Sequence, residues 1–469
     1  MKDEYLMDNF SQYHFSDNAK IITKKVPGKK SLQLLKKQNF LEGRNVSYPK
    51  GIPLAFDKAK GAIITDVDGN QFIDFFSGCG VLNLGHNNQD IVADLKKLDD
   101  KILQAVDFPT IIRMEFIETL LKLLPTQMKG KFKINFGGPT GSDAVETALK
   151  LARLNNNRHT IISFQGSYHG MTMGALSVTS RLSHRKKINP LIPGIHFFPY
   201  GACYRCPFEL TNKECSLLCV TYFKNVLDNP HSGIDLPSAI IVEPIQGEGG
   251  TYIPPKGWLK SITTIAQDRG IIVIFDEIQS GFFRTGKLFA AEDFGIVPDI
   301  IALSKGIGGI GLPLSLIIYK NNLDLWEPGT HIGTFRGNQM AMAAGLSAMR
   351  FIQKYNIKAH VERLEKLFLG LLNKLYEESK FIGEIRGKGM MFGIEYVKDK
   401  SSKEPFPEFA KLIRRLCYEN GLLVELGGYF DNVVRFLPPL IITGQIANNG
   451  LIIFKKVNRL AEERLESIN

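Results

Sequence analysis

Residues 271–306 read IIVIFDEIQSGFFRTGKLFAAEDFGIVPDIIALSKG. The opening run, Ile271 to Phe275, is apolar and mostly β-branched, the pattern of a strand buried on both faces. It stops at Asp276-Glu277, and a second apolar run, Ile300 to Leu303, stops at Ser304-Lys305-Gly306. Two buried strands therefore each end in a charged group. In an open parallel sheet the carboxyl edge is where ligands bind. The pair suits an aldehyde cofactor such as pyridoxal phosphate. Lys305 offers the amine for a Schiff base, and Asp276 offers a carboxylate that keeps the pyridine nitrogen protonated. A structural ion pair at a strand end is the competing reading.

Neighbouring stretches repeat the pattern. Ala239 to Val242 is a third buried strand, ending in Glu243-Pro244 and the loop Ile-Gln-Gly-Glu-Gly-Gly. Thr160 to Phe164 leads into Gly166-Ser-Tyr-His-Gly170, and an aromatic at that edge, Tyr168, is placed either to stack on a flat heterocycle or to fill the core. Phe132 to Phe136 precedes GGPTGSDAVETALKLAR, where Val145, Ala148, Leu149 and Ala152 fall at helical spacing. Thr140 and Asp143 fit a capping box, and the hydroxyl-rich turn at this helix start is either an anion cradle or an ordinary cap. Strands alternating with helical patterns predict an α/β architecture with a mostly parallel sheet. Gly306 to Gly311 matches G-x-G-x-x-G, but it runs into Leu-Pro-Leu-Ser-Leu-Ile-Ile, a strand where a dinucleotide fingerprint needs a helix.

Outside this core, Ala62 to Phe75 is a hairpin around Asp68-Gly69. Gly78, Gly80 and Gly85 serve tight turns, and His86 reads as structural. Residues 90–125 predict helices, as do 339–355 and 358–380. Strands are expected at Gly389–Val397, Leu422–Leu426 and Val433–Leu437, with a helix near Phe409–Asn420. Arg435 lies inside an apolar strand. A buried arginine is costly without an anion, so it is either a carboxylate receptor or half of a structural salt bridge.

The chain has 469 residues, more than the roughly 250–300 at which single cores stop growing. Three stretches are expected: 1–90 as an N-terminal arm and part of a small domain, 91–345 as a large domain, and 346–469 as the C-terminal small domain. Apolar residues make up 44% and charged ones 22%, which argues against disorder. No apolar run reaches the ~20 residues that span a bilayer, and the acidic start is not a signal peptide. A cytoplasmic protein with no membrane partner is expected. The net charge of +11 is scattered in short doublets, densest at Arg181, Arg185, Lys186 and Lys187. No nucleic-acid module accompanies it. Four of six cysteines, Cys203, Cys206, Cys215 and Cys219, form C-x2-C-x8-C-x3-C. The spacing is compatible with zinc, but no zinc module surrounds it. The loop is read as reduced or redox-labile thiols, and no metal is assigned.

From about residue 50 to 445 these ordered motifs resemble the class III pyridoxal-phosphate-dependent aminotransferases. The resemblance implies a fold type I transferase: a large domain with a mostly parallel sheet, and a smaller α/β domain built from both chain ends. It implies pyridoxal 5'-phosphate bound through Lys305, with Asp276 on the pyridine nitrogen and Gln279 on the ring hydroxyl. Thr140, Gly141 and Ser142 would cradle the phosphate, with Tyr168 and His169 beside the ring. Thr334, in the Gly-Thr-x-x-Gly-Asn loop, would reach the phosphate of a neighbouring subunit. That implies a homodimer with shared sites, or a tetramer of such dimers. Arg435 would clamp a substrate carboxylate, and Glu243 would pair with it when an ω-amine binds. GGPTGSDAVE, SYHGMTMGALSVTS, GLPLSLIIYK and WEPGTHIGTFRGN most resemble the diaminobutyrate–2-oxoglutarate enzymes, implying an amino donor and 2-oxoglutarate as substrates. Related 4-aminobutyrate and ornithine enzymes usually carry arginine where Met171 stands. Another ω-aminotransferase, or an amino-acid racemase on the same scaffold, is the alternative.

Overall fold

The computed structural model describes residues 10–211 and 215–467; the first nine residues of the expected arm lie outside them. The chain divides into two compact units, Ala93–Tyr355 and the combination of Met1–Val92 with Asn356–Asn469. Strands β1 (Phe56–Lys60), β2 (Ile63–Asp66) and β3 (Gln71–Asp74) open the chain. Seven more follow: β4 (Phe132–Phe136), β5 (Ile161–Phe164), β6 (Ile195–Phe198), β7 (Ala239–Val242), β8 (Ile272–Asp276), β9 (Ile300–Leu303) and β10 (Leu316–Lys320). The last are β11 (Ile382–Lys388), β12 (Met391–Tyr396), β13 (Leu422–Leu423), β14 (Glu425–Gly427) and β15 (Val433–Phe436).

The larger unit is built on one seven-stranded sheet, ordered β4-β10-β9-β8-β7-β5-β6. Strands β6, β5, β7, β8 and β9 run parallel, while β10 is antiparallel to both β9 and β4. The sheet is therefore mostly parallel, as expected. Strands β5, β7, β8 and β9 are buried along their whole length. Each large apolar side chain buried this way contributes roughly 1.5–3 kcal/mol. The helix Gly141–Asn156 lays Val145, Ala148, Leu149 and Ala152 into the same core as Ile241, Ile274 and Ile300. It ends at Asn157, whose φ of 49° is the left-handed conformation of a helix stop.

In the smaller unit the chain's two ends meet directly, since Leu422 of β13 pairs in parallel with Ile73 of β3. The β2–β3 hairpin closes where the sequence places it, with Gly69 at φ 91°. His86 is structural, its Nε2 lying 2.9 Å from the Asp74 carboxylate.

The helices expected across residues 90–125 are present, with a gap between them. Helix covers Gln89–Leu95 and Ile111–Leu123, and between them lie only a short 3-10 turn and irregular chain. Asp99-Asp100 and Pro109, poor helix interiors, fill that gap. Leu422–Leu426 is not one strand. It breaks at Val424, so that β13 joins β3 while β14 joins β15 in another sheet. Strand β11 and the helix Gly444–Glu466 were not expected at all. In β11, Gly383 and Gly387 and partial exposure hide the apolar pattern that marks a strand.

Candidate active site

Because β5, β7, β8 and β9 are parallel neighbours, their carboxyl ends line one edge of the sheet. That edge receives, in order, the Gly166–Gly170 loop, Glu243, Asp276 and the turn at Lys305. Asp276 is buried at the end of β8. One carboxylate oxygen lies 2.7 Å from Nδ1 of buried His169, and the other accepts the Ile278 N–H at 3.0 Å. Two fixed partners hold the acid in a single orientation. Among the described residues no acceptor or donor is found for the far nitrogen of His169, and the ring's other nitrogen meets Asp276. Lys305 is half-buried, one residue past Ser304, and starts the short turn Lys305–Gly308. Its φ is 49°, a backbone region that costs a non-glycine residue about 1–3 kcal/mol and clusters at functional sites.

Glu243 is also buried. Its two oxygens accept the Tyr168 N–H at 3.0 Å and the Gly247 N–H at 2.8 Å. Burial pushes this carboxyl upward, His169 opposes that, and the Asp276 charge adds to it. Beside Asp276, the Glu277 carboxyl is pushed up to about 7 by burial. It accepts Ser280 Oγ at 2.5 Å and the N–H groups of Ala290 and Ala291 at 3.1 and 2.8 Å. Glu277 therefore staples the chain after β8 to a later turn.

The start of the Gly141–Asn156 helix reaches the same edge. A Cβ on Gly141 would sit 3.0 Å from Ile278, two residues past Asp276. Asp143 accepts both the N–H and the hydroxyl of Thr140, at 2.8 and 2.7 Å. Ser142 Oγ accepts the Met171 N–H at 3.2 Å, joining the helix start to the Tyr168 loop. Gln279 stands against Gly247, where a Cβ would lie 2.2 Å from its Oε1.

Two candidates lie on other elements. Thr334 is exposed on the loop before the Gln339–Lys354 helix, where its carbonyl accepts from Gln104 at 2.7 Å. That loop is pinned by His331, which stacks on Trp326 at 5.4 Å and lies 2.8 Å from Thr147 Oγ1. Burial, with Arg336 and Lys150 nearby, lowers the His331 pKa to about 4. Arg435 is fully buried in β15 of the smaller unit. Residues that the motifs did not single out also shape the site. Thr179 Oγ1 accepts the His169 N–H, and Glu146 accepts from Thr172, Gly174 and Ala175 just past the Tyr168 loop. Their roles arise from contacts far apart in sequence, which no local motif announces.

The four clustered cysteines line one cavity of about 270 Å³ with Tyr200, Phe208 and Lys256. None of the six thiols is bridged, and burial raises the Cys219 pKa. Among the described residues no three His, Cys, Asp or Glu side chains are grouped to hold a metal ion.

Known proteins match this geometry. The family model described as aminotransferase class III matches residues 46–457. A diaminobutyrate–2-oxoglutarate aminotransferase of Rhizobium meliloti is 38% identical over 439 residues, covering 91% of this chain and 93% of that protein. A Haemophilus influenzae protein of the same name is 40% identical, covering 86% and 90%. Among solved structures, the ornithine aminotransferase of Toxoplasma gondii superposes with a TM-score of 0.80 at 26% identity, covering 93% of this chain and 97% of that one. With a buried acid and a lysine at adjacent strand ends of one sheet, and a family match over most of its length, this chain belongs to the class III aminotransferases.

Proposed function

We propose that the protein moves the ω-amino group of L-2,4-diaminobutyrate to 2-oxoglutarate, yielding aspartate 4-semialdehyde and glutamate, with pyridoxal 5'-phosphate as cofactor. One observation carries the chemistry: Asp276 and Lys305 follow adjacent parallel strands at one sheet edge, and His169 locks the acid. The names of the relatives support the choice of donor.

The residues present fit the cofactor. A buried carboxylate with both oxygens oriented suits a pyridinium N–H, and a helix N-terminus beside it suits a phosphate dianion. Bound there, pyridoxal phosphate supplies an aldehyde for the amine and a ring that withdraws electrons from the carbon losing its proton. Lys305 would hold the cofactor through its amine and, when free of it, would take and return the proton of the substrate's reacting carbon. Asp276 would accept the ring N–H, with His169 keeping that carboxylate in place. Tyr168 would flank the ring face, Gln279 would meet the ring hydroxyl, and Thr140, Gly141 and Ser142 would hold the phosphate. Glu243 would pair with Arg435 when the ω-amine donor binds. Arg435 is retained as receptor for a substrate carboxylate, as the resemblance implies, with a structural salt bridge to its cross-strand neighbour Glu425 as the competing reading.

We further propose a homodimer in which Thr334 serves the neighbouring subunit's cofactor. The larger unit exposes Phe108, Ile111, Ile332 and Phe335 together around that loop. No helix among the described residues is long and apolar enough to cross a membrane, and the cytoplasm is the proposed compartment.

The test is formation of glutamate from 2-oxoglutarate with a panel of ω-amines. L-2,4-diaminobutyrate should be the best donor. Lys305→Ala should abolish turnover while the circular dichroism spectrum stays native, and retained transamination in that variant would refute the assignment. Exchange of α-hydrogen without glutamate formation would favour a racemase instead.

A further inference from the structure

The reading of the two substrates sets a requirement that the residues discussed so far do not meet. In L-2,4-diaminobutyrate the amine that leaves is on C4, and the carboxyl carbon lies three bonds away. In 2-oxoglutarate the accepting carbonyl is C2, and its far carboxyl carbon also lies three bonds away. With the reacting carbons superposed, both substrates place a carboxylate at the same distance. One cation can serve both half-reactions. The donor alone adds an ammonium, on the carbon next to that carboxylate. The far end of the site therefore calls for a cation with an acid beside it.

The rim of the Tyr168 loop holds such a pair. Met171, which follows the loop, is exposed and carries no charge. Ser180 returns the chain to this place, its N–H donating to the Ser167 carbonyl at 3.0 Å. The next residue is Arg181, whose Nη1 lies 3.6 Å from Glu248 Oε1. Glu248 is itself at the site, between two glycines that admit no side chain. A Cβ on Gly247 would lie 2.2 Å from Gln279 Oε1, and one on Gly249 would lie 2.5 Å from the Gly166 carbonyl. The Arg181 and Glu248 side chains are 33% and 32% accessible. A pair this exposed is worth about 0–1 kcal/mol, so a substrate can part it at little cost. Arg185, nearby, is committed to the structure, lying over the Phe197 ring at 4.7 Å and donating to the Thr179 carbonyl.

We propose that Arg181 receives the far carboxylate of both substrates and that Glu248 receives the α-ammonium of the amino donor. The inference rests on the diaminobutyrate reading and deepens it. It also explains how the site prefers this donor to 4-aminobutyrate, which has the same carbon skeleton and lacks only that ammonium.

The test uses cofactor-loaded wild type, Arg181→Gln, Arg181→Lys and Glu248→Gln. Half-reactions are followed with L-2,4-diaminobutyrate, 4-aminobutyrate and 2-oxoglutarate, and binding of glutarate, which has both carboxylates and no carbonyl, is measured by calorimetry. Arg181→Gln should raise KM for all three substrates and weaken glutarate by about tenfold or more, with kcat changed less, the signature of lost uniform binding. Arg181→Lys should fall between. Glu248→Gln should lower kcat/KM for diaminobutyrate by about tenfold while leaving the other two within about twofold. Unchanged glutarate binding and 2-oxoglutarate KM in Arg181→Gln would overturn the Arg181 role. A Glu248→Gln enzyme equally slow with 2-oxoglutarate would overturn the Glu248 role. Wild type inactive on diaminobutyrate but active on another ω-amine would sink the donor reading and the Glu248 role together, while the glutarate and 2-oxoglutarate arms would still decide Arg181.

Discussion

Two adjacent carboxyls at the end of β8 do different work. Asp276 is fixed by His169 and a backbone N–H. Glu277 turns the other way and holds three donors of the protein itself. Its raised pKa, about 7 against an ordinary 4.5, has a consequence for stability. Between those values the folded protein keeps a proton that the unfolded chain releases. Stability therefore falls as pH rises from about 4.5 to 7, and is level with respect to this group outside that window. A shift of this size corresponds to roughly 3 kcal/mol. Glu277→Gln should remove its share of the slope, leaving a smaller fall from the raised carboxyls of Glu243 and Glu384. At pH 4.5 the variant should be less stable by about 1–3 kcal/mol, because the amide cannot accept from all three donors, and this deficit should close as pH rises to 8. Chemical denaturation between pH 4.5 and 8 checks this, and an unchanged slope would contradict it.

At the scale of elements, the site depends on one helix start being tied to one loop. The Gly141–Asn156 helix gives Ser142 to the Met171 N–H and Glu146 to the first turn of the helix Met173–Val178. Gly170 sits between them at φ 130°, and a Cβ there would lie 2.1 Å from Ser142 Oγ. Glu146→Ala should cost about 1 kcal/mol, the usual loss for an N-terminal cap. It should also weaken cofactor retention, since Tyr168 and His169 ride on the loop it steadies. Fluorescence titration with pyridoxal phosphate measures that effect, and unchanged affinity would mean the loop is held by Ser142 alone. The strands of this region are legible in the sequence because short β-branched runs ending in Asp276, Lys305 and Glu243 leave few other conformations open. Strand order is not legible. That β5 lies between β7 and β6, or that β10 runs against β9, follows from crossovers rather than local preference. Leu422–Leu426 misleads for a related reason, since one apolar run serves two sheets. Lys305 and Asp276 stand out as candidates from position, while Glu146 and the role proposed for Arg181 do not, because an ordinary surface charge and a partner of a loop at the sheet edge look alike until the chain is folded.

For the whole molecule, the apolar surface around the Thr334 loop is the feature with the largest consequence. Phe108 is 72% exposed and Ile111 79%, with Ile332 and Phe335 nearly as open. The Gln104–Thr334 hydrogen bond sets the two stretches side by side. A cluster of large apolar side chains left in water marks an interaction surface, and a second copy of the chain is the occupant that would also bring Thr334 to a cofactor. Stable interfaces bury about 800 Å² on each partner, and replacing two central apolar side chains with carboxylates should disrupt one of that size. The double variant Phe108→Glu, Ile111→Glu should sediment as a single 52.5 kDa chain, and the native protein should sediment at twice that mass. It should keep its circular dichroism spectrum, since neither side chain belongs to the core, yet lose cofactor affinity and turnover together. Thr334→Ala should lower cofactor affinity and leave the mass unchanged, which separates assembly from phosphate contact. A native protein that sediments as one chain and is fully active would refute the shared site.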